Sequence, residues 1–236
     1  YNSDYIEDIR FKPNEIVDAQ ISSEDFSNYF QKESNYPNVF KSLKSYKELF
    51  DGTKSCRLLG RLGFFNASDL INHRLSNHLI KIQSPESQNE MEGIAKIDTT
   101  KINIYIVSSI AGGTGGGMFL DMAFFARSII QNANIYGFIV LPSFFSDDYN
   151  NKIYANGYSA LKELEFYSSR KDIASKPSEN IFNEFSSEWK IDNKKLISGP
   201  PFNTCYLIDN CNFNYNLSIS EQQSEVFDMI ADTIFT

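Results

Sequence analysis

The sequence predicts an α/β domain in which a parallel, Rossmann-like sheet is flanked by helices, and three observations point there. Three short runs rich in β-branched and aromatic residues recur, "KINIYIVSSI" at 101–110, "IYGFIVLP" at 135–142 and "TCYLIDN" at 204–210. Each is followed by a stretch with helical periodicity, and strand–helix alternation of this kind builds parallel sheets. A glycine-rich turn, "AGGTGGG" at 111–117, joins the first run to its helix, where an open sheet presents its ligands.

The elements follow in order. Residues 1–50, rich in Asn, Ser, Glu, Tyr and Phe and carrying Pro13 and Pro37, suggest short helices and loops. In "FFNASDLINHRLSNHLIKI", Asn66 or Ser68 is placed to cap a helix whose Ile71, Leu75, His78, Leu79 and Ile82 share one face. A polar linker, "QSPESQNEMEG", leads to 101–110, apolar at nearly every position, as expected of a central strand covered on both faces. After the glycine turn, "MFLDMAFFARSII" is apolar almost all round and predicts a helix packed between the sheet and other elements. Residues 135–142 read as a second buried strand. In "NKIYANGYSALKELEFYSS", Ala155, Tyr158, Leu161 and Leu164 give an amphipathic helix despite Gly157. A polar excursion at 170–200, holding the single tryptophan Trp189, is expected to be an insertion. The third strand then ends in Asp209-Asn210, and from Ser218 onward Val226, Phe227, Ile230 and Ile234 mark a last helix. There is no internal repeat.

Composition limits the partners. The 236 residues carry a formal net charge of -8, from 30 acidic and 22 basic side chains, and no Lys/Arg run reaches five. Nucleic acid and anionic membrane surfaces are therefore unpromising, and the apolar stretch near 118–130 is interrupted by Asp121 and Arg127, too early to span a bilayer. The three cysteines, Cys56, Cys205 and Cys211, have no CxxC spacing, which suits free thiols in a reducing, cytoplasmic setting. A start at Tyr1 and helical periodicity that runs on to Thr236 suggest a piece of something longer.

At the glycine turn, backbone N–H groups can converge on one point, Thr114 adds a hydroxyl, and the following helix directs its positive end there. Such a turn would hold a phosphate. A Walker loop needs Gly-Lys-Ser/Thr, whereas Gly117 is followed by Met118. The dinucleotide pattern GxGxxG fits Gly112 to Gly117 only with Thr114 misplaced, and no acidic residue closes a strand about 20 residues later in the usual way. A turn whose glycines serve packing alone stays open beside the phosphate reading. His73 and His78 are five apart, off the one-face spacing of a metal pair. Ser108 and Ser109 lack GxSxG, and the cysteines have no basic neighbour to activate them.

"AGGTGGG" after a buried strand resembles the tubulin signature GGGTGSG, shared with the bacterial division protein FtsZ, with Ala111 at the first glycine and Gly116 at the serine. In their order, "SSIAGGTGGGMFLDMAFFAR", "ANGYSALKELE" and "YLIDN", with "LLGRLGFF" upstream, resemble the bacterial tubulin-like family over residues 51–236. The resemblance implies a GTP- or GDP-binding domain, with Mg2+ accompanying the nucleotide and with hydrolysis at a head-to-tail contact between subunits. Carried over by position, Gly112, Gly113, Thr114, Gly115, Gly116 and Gly117 would cradle phosphates. Asn210 would read the guanine edge, Asp147 and Asp148 fall where the family contacts ribose, and Asp51, Gly52 and Thr53 could close over the terminal phosphate. Residue-level alternatives stay beside these roles: Asn210 as a strand-ending turn residue, and Asp147 and Asp148 as solvated loop acids. The family's base-stacking aromatic and base-bonding asparagine are replaced by Ser220 and Ser224. The family's first glycine-rich phosphate loop and its water-activating acidic loop have no counterpart in these 236 residues, so the domain is expected to be incomplete at both ends. A non-catalytic tubulin-fold interaction or scaffold module is the alternative function.

Overall fold

A computed structural model describes residues 13, 15–19, 53, 55–86, 89, 101–130, 132–145, 151–169, 200–212, 215–216 and 219–235, with the side chains of 211–224 outside the description. In chain order the elements are α1 (Arg57–Ile82), β1 (Asn103–Ser109), α2 (Gly113–Ile129), β2 (Asn134–Val140), a 3-10 turn (Pro142–Phe144), α3 (Asn151–Ser169), β3 (Thr204–Ile208), the two-residue strands β4 (Cys211–Asn212) and β5 (Tyr215–Asn216), and α4 (Ile219–Phe235). The three longer strands form one parallel sheet in the order β1-β2-β3, so the predicted α/β architecture is the observed one. The antiparallel hairpin β4-β5 is an addition that the sequence had not suggested.

Strand alternation sends side chains to two different helical layers. On one face, Ile106, Ile135 and Ile139 pack with Phe119, Leu120 and Ala123 of α2 and with Ala160 and Leu164 of α3. On the other, Phe138, Val140 and Ile208 pack with Phe144 and with Val226 and Ile230 of α4. α1 lies outside α2: Phe64 and Phe65 meet Phe124 and Phe125, and the Phe64 and Phe125 rings cross edge to face at 5.6 Å. This second apolar side explains why α2 is hydrophobic almost all round.

Two expectations need correction. α1 does not start at Asn66 or Ser68 but at Arg57, with Cys56 as N-cap, and Ser68 lies inside it, bonding the Phe65 carbonyl. Gly60 and Gly63 look like helix breakers; tertiary packing overrides their poor helix propensity because α1 must approach its neighbours closely there. β1 is also not central. Among the described residues it is the sheet's edge and β2 is the centre, and Val107 is 49% exposed. On the α4 side of the sheet an aromatic row crosses the strands, Tyr105 stacking on Tyr136 at 5.2 Å and Phe138 on Tyr206 at 5.0 Å.

The other strand and helix assignments hold to within a few residues, α2 starting earlier than predicted because its first turn is made of the glycines themselves. Trp189, residues 170–199 of the polar excursion and all of 1–50 apart from residues 13 and 15–19 lie outside the described residues.

Candidate functional site

The carboxyl ends of β1, β2 and β3 share one rim. At the first of them the chain passes through Ile110 and Ala111 into α2, whose N-cap is Gly112 in an extended conformation, φ -90°. Among the described residues no side chain caps this helix, and no acidic residue stands in its first turn. The leading N–H groups of a helix have no partner within it, so Gly113, Thr114 and Gly115 present donors at the positive end of the dipole that no described group outside the helix claims. They open on a cavity of about 470 Å³, walled further by Thr53, Ser55, Ser109, Phe145 and Ile153. That volume lies in the range of small-ligand sites. Among the described residues the lining supplies four hydroxyls and no carboxylate, a donor set suited to an anion.

The glycines differ in what keeps them glycine. A Cβ on Gly113 would stand 2.6 Å from the backbone of Cys56, one on Gly115 2.6 Å from Ser108 Oγ, and one on Gly117 2.9 Å from the Arg61 nitrogen. Those three are closed by the protein's own packing. A Cβ on Gly112 meets nothing within 4 Å among the described residues.

Opposite the glycine turn, Thr53, Ser55 and Cys56 form the facing wall, where the Cys56 N–H bonds the Thr53 carbonyl at 2.7 Å. Ser55 on that wall has φ 59°, left-handed for a residue with a side chain. The Thr53 and Thr114 hydroxyl oxygens are 3.3 Å apart, joining the two walls of the cavity. Asn156 of α3 sits beneath: its Nδ2 donates to the Ser55 carbonyl at 2.9 Å and to the Ala111 carbonyl at 3.1 Å.

Gly116 and Gly117 face away from this cavity. They line a second one, of about 400 Å³, with Arg57, Arg61, Asp121, Glu163 and Tyr167. Arg57 Nε donates to the Gly116 carbonyl at 2.8 Å, and its guanidinium pairs with Glu163. Arg61 grips Asp121 with two bonds, of 3.0 and 3.3 Å. Asp121 is only 2% exposed, and burial pushes its carboxyl up to about 6 against the opposing pull of Arg61. Sequence reading missed this cluster, because its four members come from three helices and no local spacing unites them.

At the third strand end, the Asn210 N–H bonds the Asp209 carboxylate at 2.7 Å, and the same carboxylate oxygen accepts from Ser143 after β2. Asn210 is half-buried at the rim but does not line the glycine cavity. The structure thus brings Gly112, Gly113, Thr114, Gly115 and Thr53 to one cavity and places Asn210 two strands away. Asp147, Asp148, Asp51 and Gly52 lie outside the described residues, as do the side chains of Ser220 and Ser224 in α4.

Among the described residues no His, Cys, Asp and Glu side chains cluster to hold a metal, no helix is long and apolar enough to cross a membrane, and burial pushes the Cys205 thiol up to about 11, away from nucleophilic reactivity.

Comparison with known proteins gives one match and two negatives. A family model described as tubulin-like matches residues 2–236. No curated protein and no solved structure matches. The family likeness first carried by the glycine turn and the Asp209-Asn210 strand end thus extends over nearly all 236 residues, and the chain belongs to the tubulin-like family.

Proposed function

We propose that this domain binds a guanine nucleotide, GTP or GDP, with its phosphates on the turn from Gly112 to Gly115. The observation that carries the reading is the uncapped first turn of α2, free of acidic residues, opening on the hydroxyl-lined cavity of about 470 Å³. Phosphate oxygens would take the orphan amides and the Thr114 hydroxyl, and Thr53, already beside Thr114, would cover the terminal phosphate. Mg2+ would enter with the phosphates, since the described residues offer it no carboxylate cluster. Asn210, at the rim of β3, would reach the guanine edge with an amide that both donates and accepts. Asp147 and Asp148 remain the candidates for the ribose. Head-to-tail self-association of subunits would complete the site and license hydrolysis, and contacts of that heterologous kind build filaments.

A second reading, a tubulin-fold interaction or scaffold module without nucleotide turnover, is favoured by the closure of Gly113, Gly115 and Gly117 against the chain's own atoms. Those glycines would be needed with or without a ligand. Calorimetric titration of the chain with GTP, GDP and ATP separates the two, joined to phosphate release and light scattering as protein concentration rises. Saturable GTP binding that exceeds ATP supports the nucleotide reading, and turnover that climbs with assembly extends it to hydrolysis. No heat with any nucleotide, from a folded chain, supports the scaffold.

A further inference from the structure

We infer that Asn156 is a positioning residue which fixes the width of the phosphate cavity by tying its two walls to α3. The inference rests on the phosphate reading of that cavity and adds to it a residue that touches no ligand.

The bonds themselves are specific. One nitrogen, Nδ2, reaches the carbonyl of Ser55 on the wall facing the glycines and that of Ala111 on the glycine wall. Both partners are pure acceptors, so the amide must direct its NH2 at them; the oxygen in that place would face two lone-pair carriers. A side chain able to donate two diverging hydrogen bonds from a short arm is required. Aspartate has no donor when ionised, and alanine leaves both carbonyls unpartnered.

The reach is short, so α3 must come close, and the next residue allows it. A Cβ on Gly157 would stand 2.9 Å from Pro142 Cδ and closer still to Cγ, so α3 lies against the end of β2 at the one residue type that permits it. Asn156 is thereby held at the rim, against two segments that lie 101 and 45 residues earlier in the chain. The wall it ties is not a relaxed one. Ser55 sits at φ 59°, a conformation that persists only where its surroundings enforce it, and the Asn156 bond to its carbonyl is part of that enforcement. Released, the backbone at Ser55 would relax, Thr53 would draw away from Thr114, and the donors on the two walls would no longer converge on one anion. Preorganisation of this sort governs affinity without contributing a contact.

The test compares Asn156→Ala and Asn156→Asp with Leu164→Ala. Leu164 is a buried residue of the same helix, 8% exposed, whose truncation lowers stability without touching either wall. Binding of GTP and of inorganic tripolyphosphate is measured by calorimetry well below each variant's melting temperature, with folding checked by circular dichroism. Both Asn156 variants should lose about tenfold in affinity for GTP and for tripolyphosphate alike, and Leu164→Ala should keep wild-type affinity for both. Asn156 variants that bind as wild type overturn the inference and leave the phosphate cavity standing. Equal losses in Leu164→Ala also overturn it, since instability alone would then suffice. A wild-type chain that binds neither probe overturns the cavity reading and this inference together.

Discussion

Gly60 of α1 and Gly113 of α2 meet backbone to backbone: a Cβ on Gly60 would overlap the Gly113 carbonyl oxygen and stand 2.9 Å from Thr114 Cα. The helix outside the sheet thus rests directly on the first turn of the candidate phosphate site. Gly60→Ala should force the two helices apart and cost about 1–3 kcal/mol, as overpacking does. Urea unfolding measures it. A change within experimental error would mean the helices separate freely.

Gly112 offers the opposite case. Its φ of -90° suits any residue, and no described atom lies within 4 Å of its missing Cβ. Gly112→Ala should therefore leave stability within about 0.5 kcal/mol of wild type while lowering affinity for GTP and tripolyphosphate, because the methyl group would occupy the ligand's space. Unaltered affinity in the folded variant would remove Gly112 from the site. Substitutions at Gly113 or Gly115 make poorer probes, since they would collide with Cys56 or Ser108 before any ligand arrived.

For Asn210 the expectation concerns choice of base. Its backbone N–H is occupied by Asp209, and replacing the side chain keeps that bond. Asn210→Leu should cost roughly 1–3 kcal/mol of GTP affinity by leaving the guanine edge unpaired, and less for ATP. Fluorescent-nucleotide titrations with both nucleotides decide it: a GTP to ATP ratio equal to wild type makes Asn210 a turn residue.

Asp121 should give stability a specific pH dependence. Its carboxyl moves from 3.8 up to about 6 on folding, chiefly through burial, so the folded chain holds that proton more tightly than the unfolded one. The resulting stabilisation is complete below 3.8 and is lost as pH rises through about 6, an effect of roughly 3 kcal/mol. Arg61 and Arg57 oppose the shift and Glu163 adds to it. Measured between pH 4 and pH 7.5, wild type should gain stability relative to Asp121→Asn as the pH falls. A constant difference between the two would show that Asp121 titrates normally.

Much of this fold was legible because its signals are local. The runs at 101–110, 135–142 and 204–210 carry their β-branched residues in sequence, and α3 could be bounded from the recurrence of Ala155, Tyr158, Leu161 and Leu164. What stayed hidden depends on partners far along the chain. The glycines of "LLGRLGFF" argue against a helix until α2 is known to lie beside them. Asn156 reads as one polar residue on an amphipathic helix until Ser55 and Ala111 arrive at its amide. The glycine turn was found from its composition, but that Gly116 and Gly117 turn toward Arg57 and Arg61 follows only from where α2 begins.

The order of pairing in the sheet bears on how the domain assembles in time. β1, α2 and β2 are contiguous in the chain, so their parallel pairing closes over one helix. β3 must return to β2 from beyond all the chain between Val140 and Thr204, a longer closure that is entropically dearer and slower. On a ribosome that synthesises from the N-terminus, the Gly112 end of the candidate site would be folded before the strand end at Asn210 had emerged. Pulse-labelled hydrogen exchange during refolding should then protect 135–140 through β1 ahead of 204–208, and simultaneous protection would point instead to a nucleus that recruits all three strands at once.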